Sequence, residues 1–440
     1  MDFAYNQTTQ ELAQKLNNFM DDHVIPRNAQ FLREFHDNGY HISFLDDLKA
    51  LAKSEGLWNL FLPHLRDGEP GTRLTNMEYA PLAEIMGRLT WASEVFNCSA
   101  PDTGNMELLH MFGTDEQKSQ WLEPLLSGAI RSCFAMTEPD VASSDATNVT
   151  TLIQRDGEDY VINGRKWFIT GALNPNCKVA IVMGKTDPNA DVHSQQSMIL
   201  VPMNTPGLTV VRDLSVMNHH SYETHCELLF KNVRVPASHL LGEEGSGFAL
   251  AQARLGPGRI HHCMRCIGQA QLALDLMAER SLERKTFGQY LHEQGVIREF
   301  LAESMYEIEQ ARLLVLKAAW LIDQGGAKLA RNEIAMIKVA VPRMQLKVVD
   351  RAMQVFGGMG LSPDTPLPEL WTMGRALRIA DGPDEVHLRS IARGAIKKAK
   401  DSYGQAARFL TPPDRAEERD ARLDLPFDYG LASTDEAEMV

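Results

Sequence analysis

Apolar residues at helical spacing dominate the first 132 residues of the chain. Leu12, Leu16, Phe19 and Met20 recur every three or four positions up to Pro26, and further periodic segments cover roughly 43–55, 75–89, 101–112 and 115–127. Met106, Leu108, Leu109 and Met111 read as helix core rather than as a cofactor box. Gly113-Thr114-Asp115-Glu116 reads as a helix stop followed at once by a start. The pattern changes near Cys133. To about residue 240 the chain is rich in Val, Ile, Thr and turn dipeptides, with strand-like runs at 149–154, 160–162, 166–170, 178–183, 197–203, 208–213 and 224–233. Asp156-Gly157 and Asn163-Gly164 are both tight-hairpin signals, so a small antiparallel β-domain is predicted. From Gly245 onward the spacing predicts four long helices. The first runs over 248–283, interrupted at Gly256-Pro257-Gly258. The second carries Ile297, Leu301, Met305, Ile308 and Val315 and ends at Gly325-Gly326. The third covers 332–356 and the fourth 384–407. Short joins between them suggest an antiparallel bundle.

Composition narrows the field without naming a chemistry. Hydrophobic content of 44% and charged content of 23% over 440 residues fit a globular protein of two or three domains. A net charge of −14 argues against a nucleic-acid partner. No stretch approaches the length of a membrane span, and Met1 to Asn6 lacks the basic and apolar regions of a leader, so a cytoplasmic location is expected. Six scattered cysteines form no disulfide framework. Cys263-Met264-Arg265-Cys266, beside His261 and His262, has redox or zinc spacing but no second pair; it reads as buried helical thiols, and no metal site is expected. The tail over 411–440, with Pro412-Pro413 and many charges, reads as poorly ordered or wrapped on a neighbour.

Five stretches carry candidate chemistry. Residues 134–145, at the α-to-β junction, are dense in small hydroxyl side chains and alone would be a capped loop. Residues 166–171 put Trp167 and Phe168 at a strand end, a place that suits a packed core as well as a ligand. Arg284-Lys285-Thr286-Phe287-Gly288 alone is a basic helix end. Gln354-Val355-Phe356-Gly357-Gly358-Met359-Gly360 alone is a glycine-rich C-cap, and no strand precedes it as a dinucleotide fingerprint requires. Finally, residues 379–387 place Asp381 and Asp384 on a Gly-Pro turn that opens the last helix, which alone would be an N-terminal cap with N–H groups that favour an anion.

In this order and at these spacings, from about residue 10 to 405, the stretches resemble the acyl-CoA dehydrogenase family, closest to the branch of acyl-CoA dehydrogenase family members 10 and 11. The resemblance implies a mixed α and β fold: an N-terminal α-helical domain (1–132), a middle antiparallel β-domain (133–240), a C-terminal four-helix bundle (241–410) and the tail. It implies non-covalent FAD, with Phe134, Met136 and Thr137 on one side of the isoalloxazine and Phe168 and Thr170 on the other. Arg284, Thr286 and Phe287, with Gln354, Gly357 and Gly358, match positions that reach the FAD pyrophosphate and adenine of a neighbouring subunit, so a homo-oligomer is implied, commonly a dimer of dimers. Pro383 and Glu385 replace the Thr and Gln that usually touch the flavin.

Asp381 stands where most of the family carries a catalytic Glu, and Gly258 fills the alternative base position, where it cannot serve. Ser144 and Gly382 match residues bordering pantetheine and thioester, and Arg259 matches an arginine on the substrate side that could equally pair with a buried carboxylate. The implied reaction, in fatty acid β-oxidation, is α,β-desaturation of a long or branched acyl-CoA to the trans-2-enoyl-CoA, with electrons passed to an electron-transfer flavoprotein. Two other readings share the fold: a flavin oxidase that does not use CoA, resembling nitroalkane oxidase, and a non-catalytic acyl-CoA or flavin scaffold.

Overall fold

In the computed structural model the described residues are 4–409, so the tail over 411–440 lies outside them. The N-terminal periodicity resolves into α1 (Gln7–Phe19), α2 (Asn28–Asn38), α3 (Leu45–Ser54), α4 (Asn76–Gly87), α5 (Ala92–Val95), α6 (Asp102–Phe112), α7 (Asp115–Gln117) and α8 (Glu123–Ser127). Helix α2 is missing from the sequence reading because Pro26 looks like a stop. In the structure Pro26 sits in the first turn of a short 3-10 segment, Ile25–Arg27, where its missing N–H is not needed, and the chain runs on into α2. Thr75 and Thr114 cap α4 and α7, each in a reciprocal box with Glu78 or Gln117. No helix among the described residues is long and apolar enough to cross a membrane.

The middle region forms β1 (Arg131–Ala135), β2 (Leu152–Asp156), β3 (Asp159–Thr170), β4 (Cys177–Lys185), β5 (Gln196–Pro202), β6 (Leu208–Asp213), β7 (His225–Pro236) and β8 (Leu240–Leu241). They pair in the order β6-β7-β3-β2-β4-β5-β8, antiparallel except where β1 runs parallel to β4 and β2 meets β4 at Leu152 and Lys185. Asn163-Gly164 is not a hairpin. Strand β7 bulges opposite it, and the Asn232 N–H donates to Asn163 Oδ1 at 2.8 Å, which keeps β3 continuous through the turn signal. A second bulge, on β3 itself between Lys166 and Ile169, gives Phe168 a φ of 51° and leaves its ring 44% exposed at the strand end.

The C-terminal part comprises α9 (Gly247–Glu283), a small hairpin β9 (Lys285–Thr286) and β10 (Gln289–Tyr290), α10 (Gly295–Leu329), α11 (Arg331–Phe356), α12 (Leu367–Leu377) and α13 (Asp384–Asp401). Helix α9 continues through Gly256-Pro257-Gly258, whereas α10 leaves helical geometry at Gly325 and Gly326, where the sequence placed its end. Helix α12 escaped prediction because prolines surround its start, although Pro366 and Pro368 fall where a first turn accepts them. Helices α12 and α13 both pack on α11, so two shorter helices share the fourth place of the bundle.

Two cores result. One lies inside the sheet; the other is shared by the N-terminal helices and the bundle. The shared core depends on a close crossing of α4 and α9, where a Cβ on Gly268 would stand 1.9 Å from the Glu84 carbonyl oxygen. Gly268→Ala is therefore expected to force the helices apart and lower the thermal midpoint, at a cost of about 1–3 kcal/mol. An unchanged melting curve would refute the packing argument.

Candidate active site

A cavity of about 1950 Å³ opens between the sheet, the α9 face and the turn that follows α12. That exceeds the space one small ligand needs. Part of its lining is the end of β1 and the loop after it, with Phe134, Met136, Thr137 and Ser144; the neighbouring wall is the end of β3, with Trp167, Phe168 and Thr170. The bulge turns Phe168 outward into this lining. Arg254 of α9 lies 4.1 Å above the Phe134 ring and donates from Nε to Asn105 Oδ1 at 2.9 Å.

The two walls are clamped together by a buried ion pair. Lys166 Nζ donates to Glu138 Oε1 and to the Met136 carbonyl, both at 2.8 Å, and neither side chain is more than 2% exposed. Glu138 also accepts from the Thr150 N–H, the Thr150 hydroxyl and the Thr151 N–H. Burial opposes ionisation of Glu138, but Lys166 and these donors outweigh it and bring the carboxyl down to about 2. The Trp167 N–H donates to the Thr137 carbonyl at 2.9 Å and completes the clamp.

The turn after α12 separates the roles of its two aspartates. Asp384 opens α13 and is buried, its Oδ2 accepting from Arg343 Nε at 2.9 Å and Arg378 Nε at 2.8 Å. The N-cap position is Pro383, which makes no side-chain cap, so the capping expected of the motif is replaced by this pairing with two arginines. Asp381 instead lines the cavity, at a φ of 55° that aspartate tolerates better than most residues. Its carbonyl accepts from Arg259 Nε at 3.0 Å and from His387 Nε2 at 3.3 Å. Gly382 makes the second contact feasible, since a Cβ there would stand 2.8 Å from His387 Nε2. Lys338 Nζ donates to the carbonyls of Leu377 and Ala380, at 2.5 and 2.8 Å. Three helices, α9, α11 and α13, thus hold the backbone of one turn. Burial works against a charge on Asp381, yet His262 facing it and the charges of Arg254, Lys338 and Arg259 outweigh it and keep the carboxyl below the usual carboxylate range.

Of the residues singled out in the sequence, Phe134, Met136, Thr137, Ser144, Phe168, Thr170, Arg259, Asp381, Gly382 and Pro383 line the cavity, as does Gly258. Arg259 neither floats in the substrate space nor pairs with a carboxylate; it grips the backbone of Asp381. Glu385 is exposed on α13 and is not brought to the cavity. Arg284, Thr286, Phe287, Gln354, Gly357 and Gly358 also lie off its lining. They sit near the joined C-terminal ends of α9 and α11, where the Arg280 guanidinium lies 5.4 Å over the Phe356 ring and Phe287 is fully exposed. Trp167, Arg254, His262, Arg265 and Glu223 line the cavity without having been assigned a role from sequence; burial pushes the Glu223 carboxyl up to about 7. Lys338 had a legible signal, a lysine among the core positions Ile334, Ile337 and Val341 of α11.

Domain models of the acyl-CoA dehydrogenase family match the chain in three consecutive parts: the N-terminal domain at residues 6–129, the middle domain at 133–233 and the C-terminal domain at 245–396. The chain is 55% identical over 411 residues to probable acyl-CoA dehydrogenase FadE2 of Mycobacterium tuberculosis, covering 92% of this chain and 100% of that protein. It is 52% identical over 400 residues to acyl-CoA dehydrogenase family member 11 of Gallus gallus, covering 89% of this chain but only 51% of that longer relative. Among solved structures, that of a putative acyl-CoA dehydrogenase from Mycobacterium abscessus superposes with a TM-score of 0.87 at 50% identity, covering 90% of this chain and all of that one. The chain belongs to the acyl-CoA dehydrogenase family, whose cofactor is FAD.

Proposed function

We propose that this protein desaturates a long or branched acyl-CoA thioester between Cα and Cβ, with Asp381 as the base, giving the trans-2-enoyl-CoA. The observation that carries the reading is the state of Asp381: a carboxylate facing a large cavity, kept ionised by surrounding cations, on a turn fixed by three helices. A base that removes a weakly acidic α-proton must be charged beforehand and held almost in contact with the carbon. Phe134, Met136 and Thr137, with Phe168 and Thr170, are the side chains this reading assigns to the two sides of the isoalloxazine; their shared place in the cavity lining supports it, and the volume leaves room for a second ligand. FAD, when bound there, supplies the acceptor for the hydride that leaves Cβ. The chain's part is to hold the reacting atoms: Asp381 takes the α-proton, Phe134 is braced by Arg254, and Gly382 and Ser144 border the thioester and pantetheine.

The same proposal makes the protein a homo-oligomer that reduces an electron-transfer flavoprotein. Arg284, Thr286, Phe287, Gln354, Gly357 and Gly358 support the first half, being gathered near one end of the bundle and off the lining of the cavity. On this reading Arg284 meets phosphate with charge-assisted bonds, and the six residues serve the FAD of an adjacent copy. The test is an anaerobic titration of the FAD-loaded protein with saturated acyl-CoA thioesters and one nitroalkane, followed by flavin absorbance near about 450 nm. Bleaching by an acyl-CoA is the expected result and reports the chain-length preference. Bleaching by the nitroalkane alone would replace this reading with that of a CoA-independent oxidase.

A further inference from the structure

Cys263 and Cys266 of α9 are both buried, and burial pushes both thiols up. What the same turns of helix hold is His262. Its Nε2 stands 3.6 Å from Asp381 Oδ2, and its Nδ1 lies 3.0 Å from Arg265 Nη2. A guanidinium has five donors and no acceptor. Nδ1 must therefore accept from Arg265, which leaves the ring proton on Nε2, on the side facing Asp381.

Resting on the reading of Asp381 as the base, we propose that His262 is its positioning residue: Arg265 locks the Nε2–H tautomer, and that N–H, facing Oδ2 at 3.6 Å, closes to a hydrogen bond when substrate binds and turns the carboxylate to the α-carbon.

The other charged and titratable groups around the turn are engaged elsewhere. Arg259 and His387 bind the Asp381 carbonyl, Lys338 binds those of Leu377 and Ala380, and Arg254 binds Asn105. Among the described residues, His262 is the basic side chain within 4 Å of the Asp381 carboxylate. Burial and the Arg265 charge push His262 down to about 3, with Asp381 pulling the other way, so the ring is neutral at neutral pH. An aspartate is one methylene shorter than the glutamate it replaces, and a displacement of about 1 Å at such a base can cost about a hundredfold in rate. A donor fixed from behind supplies that aim. Proton bookkeeping limits the role to aiming: the α-proton goes to Asp381, and His262 Nε2, already protonated, cannot take it on.

The experiment compares His262→Gln with His262→Asn in the FAD-loaded enzyme, measuring anaerobic flavin reduction by acyl-CoA across pH. A glutamine amide can reach the place of Nε2; an asparagine amide reaches only that of Nδ1. His262→Asn is expected to reduce the rate about 30–100-fold with FAD content unchanged. It should also move the acid limb to higher pH, because a donor to the charged form of Asp381 is gone. His262→Gln should stay within about fivefold of the parent and keep its limb. Equal losses in both variants, or a parent-like Asn variant beside a dead Asp381→Asn, would overturn the role of His262 alone. An active Asp381→Asn would overturn the base and this inference together. Arg265→Met tests the lock independently of His262 substitution: releasing Nδ1 should add a second ionisation to the profile, and an unchanged profile would refute it.

Discussion

Asp381→Asn is expected to lose flavin reduction by acyl-CoA by about a thousandfold or more, the upper range for removing a general base, while FAD remains bound. The substitution keeps the size of the side chain. It leaves untouched the bonds from Arg259, His387 and Lys338, all of which go to backbone carbonyls. The turn should therefore persist, and the loss should appear in the rate of reduction and not in flavin content. The contrast with Asp384 sharpens the test. Asp384, three residues on and joined to Arg343 and Arg378, belongs to the scaffold; its replacement should lower stability first. Near-parent turnover by Asp381→Asn would remove the assignment of the base.

Glu138→Ala is expected to give the largest loss of stability, about 3–5 kcal/mol, because it removes the partner of a buried lysine that burial already brings down to about 8. Lys166 would keep its bond to the Met136 carbonyl but lose its counter-charge, and the Thr150 and Thr151 N–H groups would lose their acceptor. Removing both charges with Glu138→Leu and Lys166→Met should recover only part of this, since those backbone donors and the Met136 carbonyl stay unsatisfied. The sign with pH follows from the lowered carboxyl. Glu138 has a folded value of about 2, below that of an unfolded glutamate, so its contribution is present above the ordinary carboxylate range and lost as pH falls toward 2. Thermal melts of parent and Glu138→Ala at several pH values check both claims: the gap between them should close in acid. A constant gap would mean the ion pair is not what holds the loop. Because Met136 and Thr137 lie on the same loop, FAD release should accompany the melt.

The sequence carried the helices with strong periods and clear caps, such as Thr114 with Gln117, and most strand positions. It misled where a local signal was absorbed by longer-range structure. Asn163-Gly164 has the chemistry of a turn, but the bulged partner β7 supplies a ladder that a window of ten residues cannot contain. Pro26 and Pro366 read as stops because the residues that follow are needed to see them as first turns. The site divides in the same way. Nothing local distinguishes Asp381 from Asp384; family resemblance selects the first, and the burial of Asp384 between two arginines accounts for the second. Pairs such as Lys166 with Glu138 and His262 with Asp381 join separate elements and leave no pattern in the chain, although a lone lysine at a core position of α11 was open to notice.

The crossing of α4 and α9 also sets a schedule for synthesis. Glu84 leaves the ribosome about 180 residues ahead of Gly268, an interval of roughly 10–40 s at ordinary elongation rates. Through that time the inward face of α4, with Tyr79, Ala80, Ala83 and Met86, waits for its main partner while the whole sheet is made in between. The nascent N-terminal third thus carries an apolar surface in need of shielding until α9 has been made.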